Sequence, residues 1–132
     1  MRRPFRSGAA PGQTGLYTRQ AFFHHASMLL GSSPDGTYQA VVVDIHNFKH
    51  VNSIYGENVG DDIIQYLAGK LKRLVPEGLV AHYDGDSFVC LENVTAHTDA
   101  ELEKAIRGIA KAAPIRNLLL KCGVYCCENA SL

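Results

Sequence analysis

Two aspartates, Asp44 and Asp86, have the setting of residues that bind a divalent cation. Asp44 lies near the end of an apolar, β-branched run that starts at Tyr38, a pattern that predicts a strand. Asp86 follows Asp84-Gly85, a dipeptide typical of a two-residue hairpin turn, and opens another strand. If the two strands are antiparallel neighbours, the two carboxylates converge at one sheet edge. Carboxylates with a nearby carbonyl suit Mg²⁺ when phosphates complete its shell. The alternative, that each aspartate faces water at a strand end, stays open.

The first half of the chain predicts a helix, a strand and two more helices. Thr18 caps a helix to about Leu30. The strand from Tyr38 to Ile45 is continuously apolar until Asp44, which predicts burial on both faces. A helix from Phe48 to Tyr55 is closed by Gly56, and another from Gly60 to Leu74 carries an apolar stripe. The first helix is expected to turn these residues inward: Phe22, Phe23, Met28 and Leu29 or Leu30.

The second half predicts strands from Leu79 to Tyr83 and from Asp86 to Leu91, a helix, and a last strand from Leu118 to Cys126. Thr98 and Glu101 form a capping box that opens the helix. The order strand–helices–strand–strand–helix–strand is the ferredoxin-like βαββαβ arrangement, an α+β fold with an antiparallel sheet and helices on one face. In this topology the first and third strands are antiparallel neighbours, which brings Asp44 and Asp86 together.

Composition narrows the class of protein. The chain has 132 residues, enough for one domain, and its 13 basic and 13 acidic residues cancel, so nucleic acid is not expected as the main partner. The apolar runs are too short for a membrane span, which favours a cytoplasmic protein with reduced cysteines.

Residues 1–13 are interpreted as a linker or a cloning remnant. The cysteines at 122, 126 and 127 are expected to pack as small buried residues, split between two sheet faces, and to share no metal.

Four segments, in order, resemble the GGDEF domains of the diguanylate cyclase family. Thr14 to Arg19 resembles the family's TGLYNR segment, and Val42 to Asn52 resembles VDIDxFKxIN. Tyr55 to Asp61 resembles YGHxxGD, and His82 to Phe88 resembles RYGGDEF. The spacings agree from about residue 14 to residue 126. The chain is therefore identified as a member of this family, which implies the palm-like fold of nucleotide cyclases over residues 14–132.

The resemblance implies a chemistry and a set of site residues. The family makes cyclic di-GMP from two GTP molecules, one held by each domain of a homodimer, with Mg²⁺ bound alongside the nucleotide. Carried over by position, the metal ligands are Asp44, the Ile45 carbonyl and Asp86. The phosphate cradle is the turn of Asn47, Phe48 and Lys49, and the guanine readers are Asn52 and Asp61. We expect these two readers to lie on helices, away from the hairpin.

The signature itself departs from the family pattern, because it reads Asp84-Gly85-Asp86-Ser87-Phe88. Ser87 replaces a carboxylate. In the family's reaction the 3′-hydroxyl of one GTP attacks the α-phosphate of the other. A serine hydroxyl neither supplies a carboxylate's charge to a two-metal site nor takes the proton from that 3′-hydroxyl. Asp84 replaces a glycine and adds bulk and like charge near the phosphates. No catalytic residue is therefore expected to be intact. The stretch of residues 75–78 also lacks the family's inhibitory RxxD motif, and the family's last helix and strand are missing.

Three functions remain open. The first, favoured by the surviving Asp44, Lys49, Asn52 and Asp61, is an inactive regulatory module with GTP as its candidate ligand. Such a module would act on a neighbouring domain of a longer protein, for which an EAL phosphodiesterase domain is a candidate. The second is an active diguanylate cyclase. The third is a structural or dimerisation module without a ligand.

Overall fold

The elements follow one another in the order that the sequence predicts. The computed structural model describes residues 16–127, so the predicted linker of residues 1–13 lies outside the described residues. The elements are α1 (Arg19–Gly31), β1 (Tyr38–Ile45), α2 (Phe48–Tyr55), α3 (Glu57–Leu74), β2 (Leu79–Asp84), β3 (Ser87–Asn93), α4 (Asp99–Lys111) and β4 (Leu120–Cys126). No helix within this described stretch is both long and apolar enough to cross a membrane.

The four strands form one antiparallel sheet in the order β2-β3-β1-β4. The central strand β1 pairs with β3 on one side and with β4 on the other. Asp44 lies opposite Ser87 in the first pairing and opposite Lys121 in the second. The predicted α+β fold, with the first and third strands as antiparallel neighbours, is confirmed.

Helices cover both faces of the sheet, unequally. The main core lies between the sheet and the helices of the βαββαβ unit, and includes Val41, Val43, Phe88 and Leu67, all fully buried. The preceding helix α1 packs on the opposite face, where Phe22 meets a smaller cluster around Ala81 and Leu91. Burial along β1 alternates strictly, with every second residue buried and the others half-buried. The expectation of a strand buried on both faces is therefore wrong for the α1 side, which is only partly covered.

Several predicted boundaries shift. Helix α3 starts at Glu57 rather than Gly60, because Gly56, with φ of 93°, ends α2 and starts α3 at a single residue. Strand β4 starts at Leu120 rather than Leu118, after Asn117 turns the chain with φ of 60°. Helix α1 buries residues four apart, Phe22, Ala26 and Leu30, so the prediction of inward-facing Phe23 and Met28 is wrong, and these are 48% and 61% exposed.

The cysteines are packing residues in three cases of four. Burial, with a smaller effect of the Glu92 charge, raises the pKa of the Cys90 thiol to about 12. Burial also raises the pKa of Cys122, which packs on the main core, and of Cys127, which packs on the α1 side, so the predicted split between faces is confirmed. Cys126 is exposed at the end of β4, contrary to expectation. Between residues 16 and 127 there is no group of three or more potential ligand side chains that could hold a metal.

A buried polar cluster closes the end of the sheet opposite Asp44. Gln39 and Glu92 face each other across β1 and β3 and are only 4% and 3% exposed. The Gln39 amide donates to Glu92 Oε2 at 2.9 Å, and His97 Nδ1 lies 2.9 Å from Glu92 Oε1. Gln39 also donates to the His97 carbonyl at 3.1 Å, which fastens the loop before α4 to the sheet. The buried carboxylate is thus fully partnered.

We predict that His97→Ala destabilises the chain by about 1–3 kcal/mol, because it leaves one oxygen of a buried carboxylate unpaired. Urea denaturation measures the effect, with the exposed His24→Ala as a matched control expected to stay within about 0.5 kcal/mol of the parent. Equal stability of the two variants would contradict a structural role for the cluster.

Candidate functional site

The end of β1 and the β2–β3 hairpin form the first part of the site. The Ile45 N–H donates to the Asp86 carbonyl at 2.9 Å, so the segments that carry Asp44, Ile45 and Asp86 are adjacent, as the topology predicts. Ser87 lies beside Asp44, and its hydroxyl donates a hydrogen bond to Asp44 Oδ1. The group that the resemblance assigns to the metal therefore already holds a protein donor.

This donor set is a poor fit to a divalent cation. Mg²⁺ demands oxygen ligands in near-octahedral order, and two-metal chemistry needs several carboxylates. Here one oxygen of Asp44 accepts from Ser87, and the other cross-strand neighbour of Asp44 is a lysine, Lys121. Asp86 lies in the turn. These residues do not form the complete metal site that the resemblance implies.

The hairpin turn is displaced by one residue from its predicted place. Gly85 and Asp86 form the turn, whereas Asp84 lies in β2 and pairs with Ser87. A register shift between His82 and Asp84 marks a bulge at Tyr83. Neither Gly85 nor Asp86 has a positive φ, so the turn is not the type that an Asp-Gly dipeptide favours. The bulge bends the strand instead, and such bulges cannot be predicted from turn residues alone.

Helix α1 holds the bulged residue in place. The Arg19 guanidinium lies 4.6 Å from the centre of the Tyr83 ring, and the Phe23 ring meets it edge-on with centroids 5.9 Å apart. Both contacts come from the first two turns of α1. Arg19, which is part of the first of the four segments of the resemblance, thus positions the signature hairpin.

The start of α2 forms the second part of the site. Asn47 is the N-cap residue with φ of 54° and ψ of 44°, a left-handed conformation that Asn tolerates better than most residues, and its side chain caps no helical N–H. The first N–H groups of a helix lack partners within the helix, so they can meet an anion. Lys49 is exposed in the same turn. The turn is thus a helix start of the kind that can bind an anion, and its role as a phosphate cradle stays a prediction.

A cavity of about 310 Å³ forms the third part. It is lined by Phe48 and Asn52 of α2, Glu57, Asp61 and Ile64 of α3, and His82 and Gly85 of the hairpin. Three of the predicted nucleotide-binding residues, Phe48, Asn52 and Asp61, line it together, whereas Asn47 and Lys49 do not. The expectation that the guanine readers lie away from the hairpin is wrong, because His82 and Gly85 close the same cavity.

Asn52 carries the unusual feature of this cavity. Its Oδ1 is buried and has no hydrogen-bond partner among residues 16–127. Gly60 of α3 makes room for this amide, because a Cβ placed on Gly60 would come within 1.9 Å of Asn52 Oδ1. An unpaired buried acceptor costs about 1–3 kcal/mol, so the fold keeps an unfavourable group in a residue that lines the cavity.

Glu57 and His82 were not among the predicted site residues. Glu57 and Asp61 lie four residues apart on α3 and therefore on one face of the helix, a relation visible in the sequence only if α3 starts at Glu57. His82 stacks on Phe88 with centroids 4.9 Å apart, and its Nε2 donates to the Gly85 carbonyl at 3.2 Å. A larger cavity, about 760 Å³, lies between α4 and β4, but none of the predicted site residues line it.

We predict that Gly60→Ala gains less stability than Gly69→Ala on the same helix. Gly69 has nothing within 4 Å of an added Cβ, so alanine there should stabilise by about 1 kcal/mol through helix propensity. At Gly60 the same gain is opposed by displacement of the Asn52 amide. Urea denaturation of both variants measures the difference, and an equal gain would show that the amide moves aside at no cost.

The sequence of the chain matches a known protein family and several curated relatives. The family model described as "Diguanylate cyclase, GGDEF domain" matches residues 12–127. The signaling protein YkoW of Bacillus subtilis is 30% identical over 111 residues, which is 79% of this chain and 14% of YkoW. The chain spans between 14% and 21% of the length of the first curated relatives it matches.

Solved structures show the same fold. The GGDEF domain of DgcB from Caulobacter crescentus, in complex with c-di-GMP, matches with a TM-score of 0.74 at 22% identity, covering 92% of this chain and 79% of that one. The S helix-GGDEF-EAL structure of Vibrio cholerae LapD, bound to c-di-GMP, matches with a TM-score of 0.66 at 19% identity, covering 88% and 28%. Because the family model matches nearly the whole chain and the predicted topology is present, the chain belongs to the GGDEF domain family.

Proposed function

We propose that this domain is an inactive regulatory module of a cyclic di-GMP signalling protein, and that it binds a guanine nucleotide weakly. The observation that carries the proposal is the cavity between α2, α3 and the hairpin, whose lining includes Asn52, a residue with a buried amide oxygen that has no hydrogen-bond partner among the described residues. A purely structural domain gains nothing from an unpaired buried acceptor, whereas in a binding domain a rotation of the Asn52 amide toward the cavity would let a ligand donor pair it.

The lining of the cavity favours guanine over adenine. Asn52, Glu57 and Asp61 together present one amide and two carboxylates, so acceptors outnumber donors. The edge of guanine offers N1–H and a 2-amino group as donors, which a carboxylate accepts as a pair. Adenine presents an acceptor at N1, which would face a carboxylate. Glu57 and Asp61 are exposed in the structure, and a bound base would cover them, so the wrong base would leave them unpaired.

The residues of the signature hairpin support the proposal that the domain does not synthesise cyclic di-GMP. Ser87 donates to Asp44 through a hydroxyl, whereas metal-assisted attack needs groups that bind cations and accept protons. Asp84 is exposed at the end of β2, beside the turn where phosphates would lie, and adds negative charge there. These features support a site that holds a nucleotide but does not transfer its guanylyl group with release of pyrophosphate.

The regulated partner would be a neighbouring domain of the same polypeptide, in the cytoplasm where GTP is present. The LapD structure joins a GGDEF domain to an EAL domain in one chain, which supports an EAL domain as a candidate here. In this arrangement nucleotide occupancy, rather than product synthesis, would be the signal. Pairing with a second copy of the domain is not required for such a module.

We predict that GTP binds more tightly than ATP and that Asn52→Ala abolishes this preference. Loss of the amide removes a contact worth about 1–3 kcal/mol with guanine, while the phosphate contacts stay. Isothermal titration calorimetry with GTP and ATP measures both affinities, with the exposed Asn58→Ala on α3 as a matched control that should keep the preference. Equal affinities in the parent chain, or no binding of either nucleotide at millimolar concentration, would contradict the proposed function and favour a structural module without a ligand.

We predict no cyclic di-GMP synthesis from GTP and Mg²⁺, and none after Ser87→Glu alone. The single substitution restores a carboxylate but leaves Asp84 beside the turn and places two like charges side by side at Asp44. Chromatography of overnight reactions, against a metal-free control, measures the product. Synthesis by the parent chain would establish an active cyclase, and a strong gain in the variant would show that Ser87 is the sole defect.

A further inference from the structure

We propose that the Lys121 ammonium takes the place of a divalent cation beside Asp44, so that phosphate groups bind at this sheet edge without Mg²⁺. The proposal deepens the proposed function, on which it rests for the identity of the nucleotide. It assigns to Lys121 a role that the four segments of the family resemblance do not include.

The sheet register places Lys121 next to Asp44. Asp44 on β1 lies opposite Ser87 on β3 and opposite Lys121 on β4. Residues directly opposite one another in antiparallel strands point to the same face, with Cβ atoms about 4.5–5.5 Å apart. One face of the sheet thus presents a hydroxyl, a carboxylate and a lysine side by side. The carboxylate lies in the middle, and only its Ser87 side is already hydrogen-bonded in the structure.

The start of β4 is held against the predicted phosphate cradle. The His46 N–H donates to the Leu119 carbonyl at 2.9 Å, which ties the turn before α2 to the residues leading into β4. Lys49 lies in the first turn of α2, on the far side of the same turn. Lys121 is exposed and lies opposite Asp44 in the strand register, and its four-carbon stem gives the ammonium freedom to reach either Asp44 or a phosphate bound at this edge.

The charges around Asp44 make the ammonium a better partner than a divalent cation. Asp84 and Asp86 in the hairpin are the acidic groups on one side, and Lys49 and Lys121 are the basic groups on the other. An ammonium has three N–H donors, so Lys121 can donate to Asp44 and to a phosphate oxygen together. A cation of charge two placed at Asp44 would lie against Lys121 and would have to displace the Ser87 hydroxyl. The ammonium thus supplies binding charge without metal chemistry.

A simpler role for Lys121 is protection of an exposed edge, because β4 is the last strand of the sheet in the described part of the chain. Lysines on edge strands discourage pairing with other chains. That role predicts no effect of Lys121 on nucleotide binding and no link with Mg²⁺. The two roles are therefore separable by a binding measurement.

Calorimetry of GTP binding in EDTA and in MgCl₂ tests the proposal. We expect the dissociation constant of the parent chain to differ by less than about threefold between the two buffers, and Lys121→Met to weaken binding about tenfold in EDTA, the scale of one charge-assisted hydrogen bond. Lys121→Arg should restore binding in EDTA because it keeps the charge. The exposed Lys104→Met on α4 is the matched control and should bind as the parent does.

The possible results distinguish a failure of the proposed nucleotide binding from a failure of the proposed role of Lys121. A parent chain that binds no guanine nucleotide in either buffer overturns the proposed function and the role of Lys121 with it. GTP binding that requires MgCl₂, or that is unchanged in EDTA by Lys121→Met, overturns the role of Lys121 alone. Because Lys121 is exposed, circular dichroism of each variant should match the parent, and a variant that does not fold is replaced by Lys121→Gln.

Discussion

The pairing of β1 with a strand on each side is the constraint on which the rest of the structure depends. Side chains alternate between faces along a strand, so the register that buries Val43 and Ile45 in the core necessarily puts Asp44 on the opposite face. A slip of one residue would bury the carboxylate and expose the core. The hydrophobic effect on one face therefore fixes the position of Asp44 on the other.

Two buried polar groups show how differently the fold treats structure and function. At one end of the sheet, Gln39 and His97 pair both oxygens of the Glu92 carboxylate, and a further bond from Gln39 holds the loop before α4. In Asn52, which lines the cavity, Oδ1 has no partner within residues 16–127, and Gly60 leaves the space that it occupies. Native proteins leave few buried polar atoms unpaired, and those that persist tend to have a role outside folding.

The sequence was sufficient for the topology and for part of the site. Periodicity and caps predicted each element, since a core-facing stripe and a capping box are local features, and topology then brought the Asp44 and Asp86 segments together. The turn at Gly85 and Asp86 was missed because a bulge at Tyr83, supported by Arg19 of a distant helix, shifts the hairpin by one residue. The unpaired state of Asn52 could not be predicted, because it depends on the packing of α2 against α3. The roles of Asn47, Lys49, Asn52 and Asp61 in nucleotide binding stay predictions.

Ser87 does more than remove a catalytic carboxylate, because it also removes a negative charge from the position opposite Asp44 at the sheet edge. A carboxylate at this position would lie directly opposite Asp44, and two like charges at cross-strand distance destabilise a sheet unless a cation lies between them. A hydroxyl instead donates to Asp44, so β3 pairs with β1 from its first residue after the turn without any ion. The serine that stands in place of the family's carboxylate removes a proton acceptor, and it also lets the hairpin pair with β1 without a cation between two carboxylates. The pairing of β1 with β3 at this edge therefore does not depend on a bound cation.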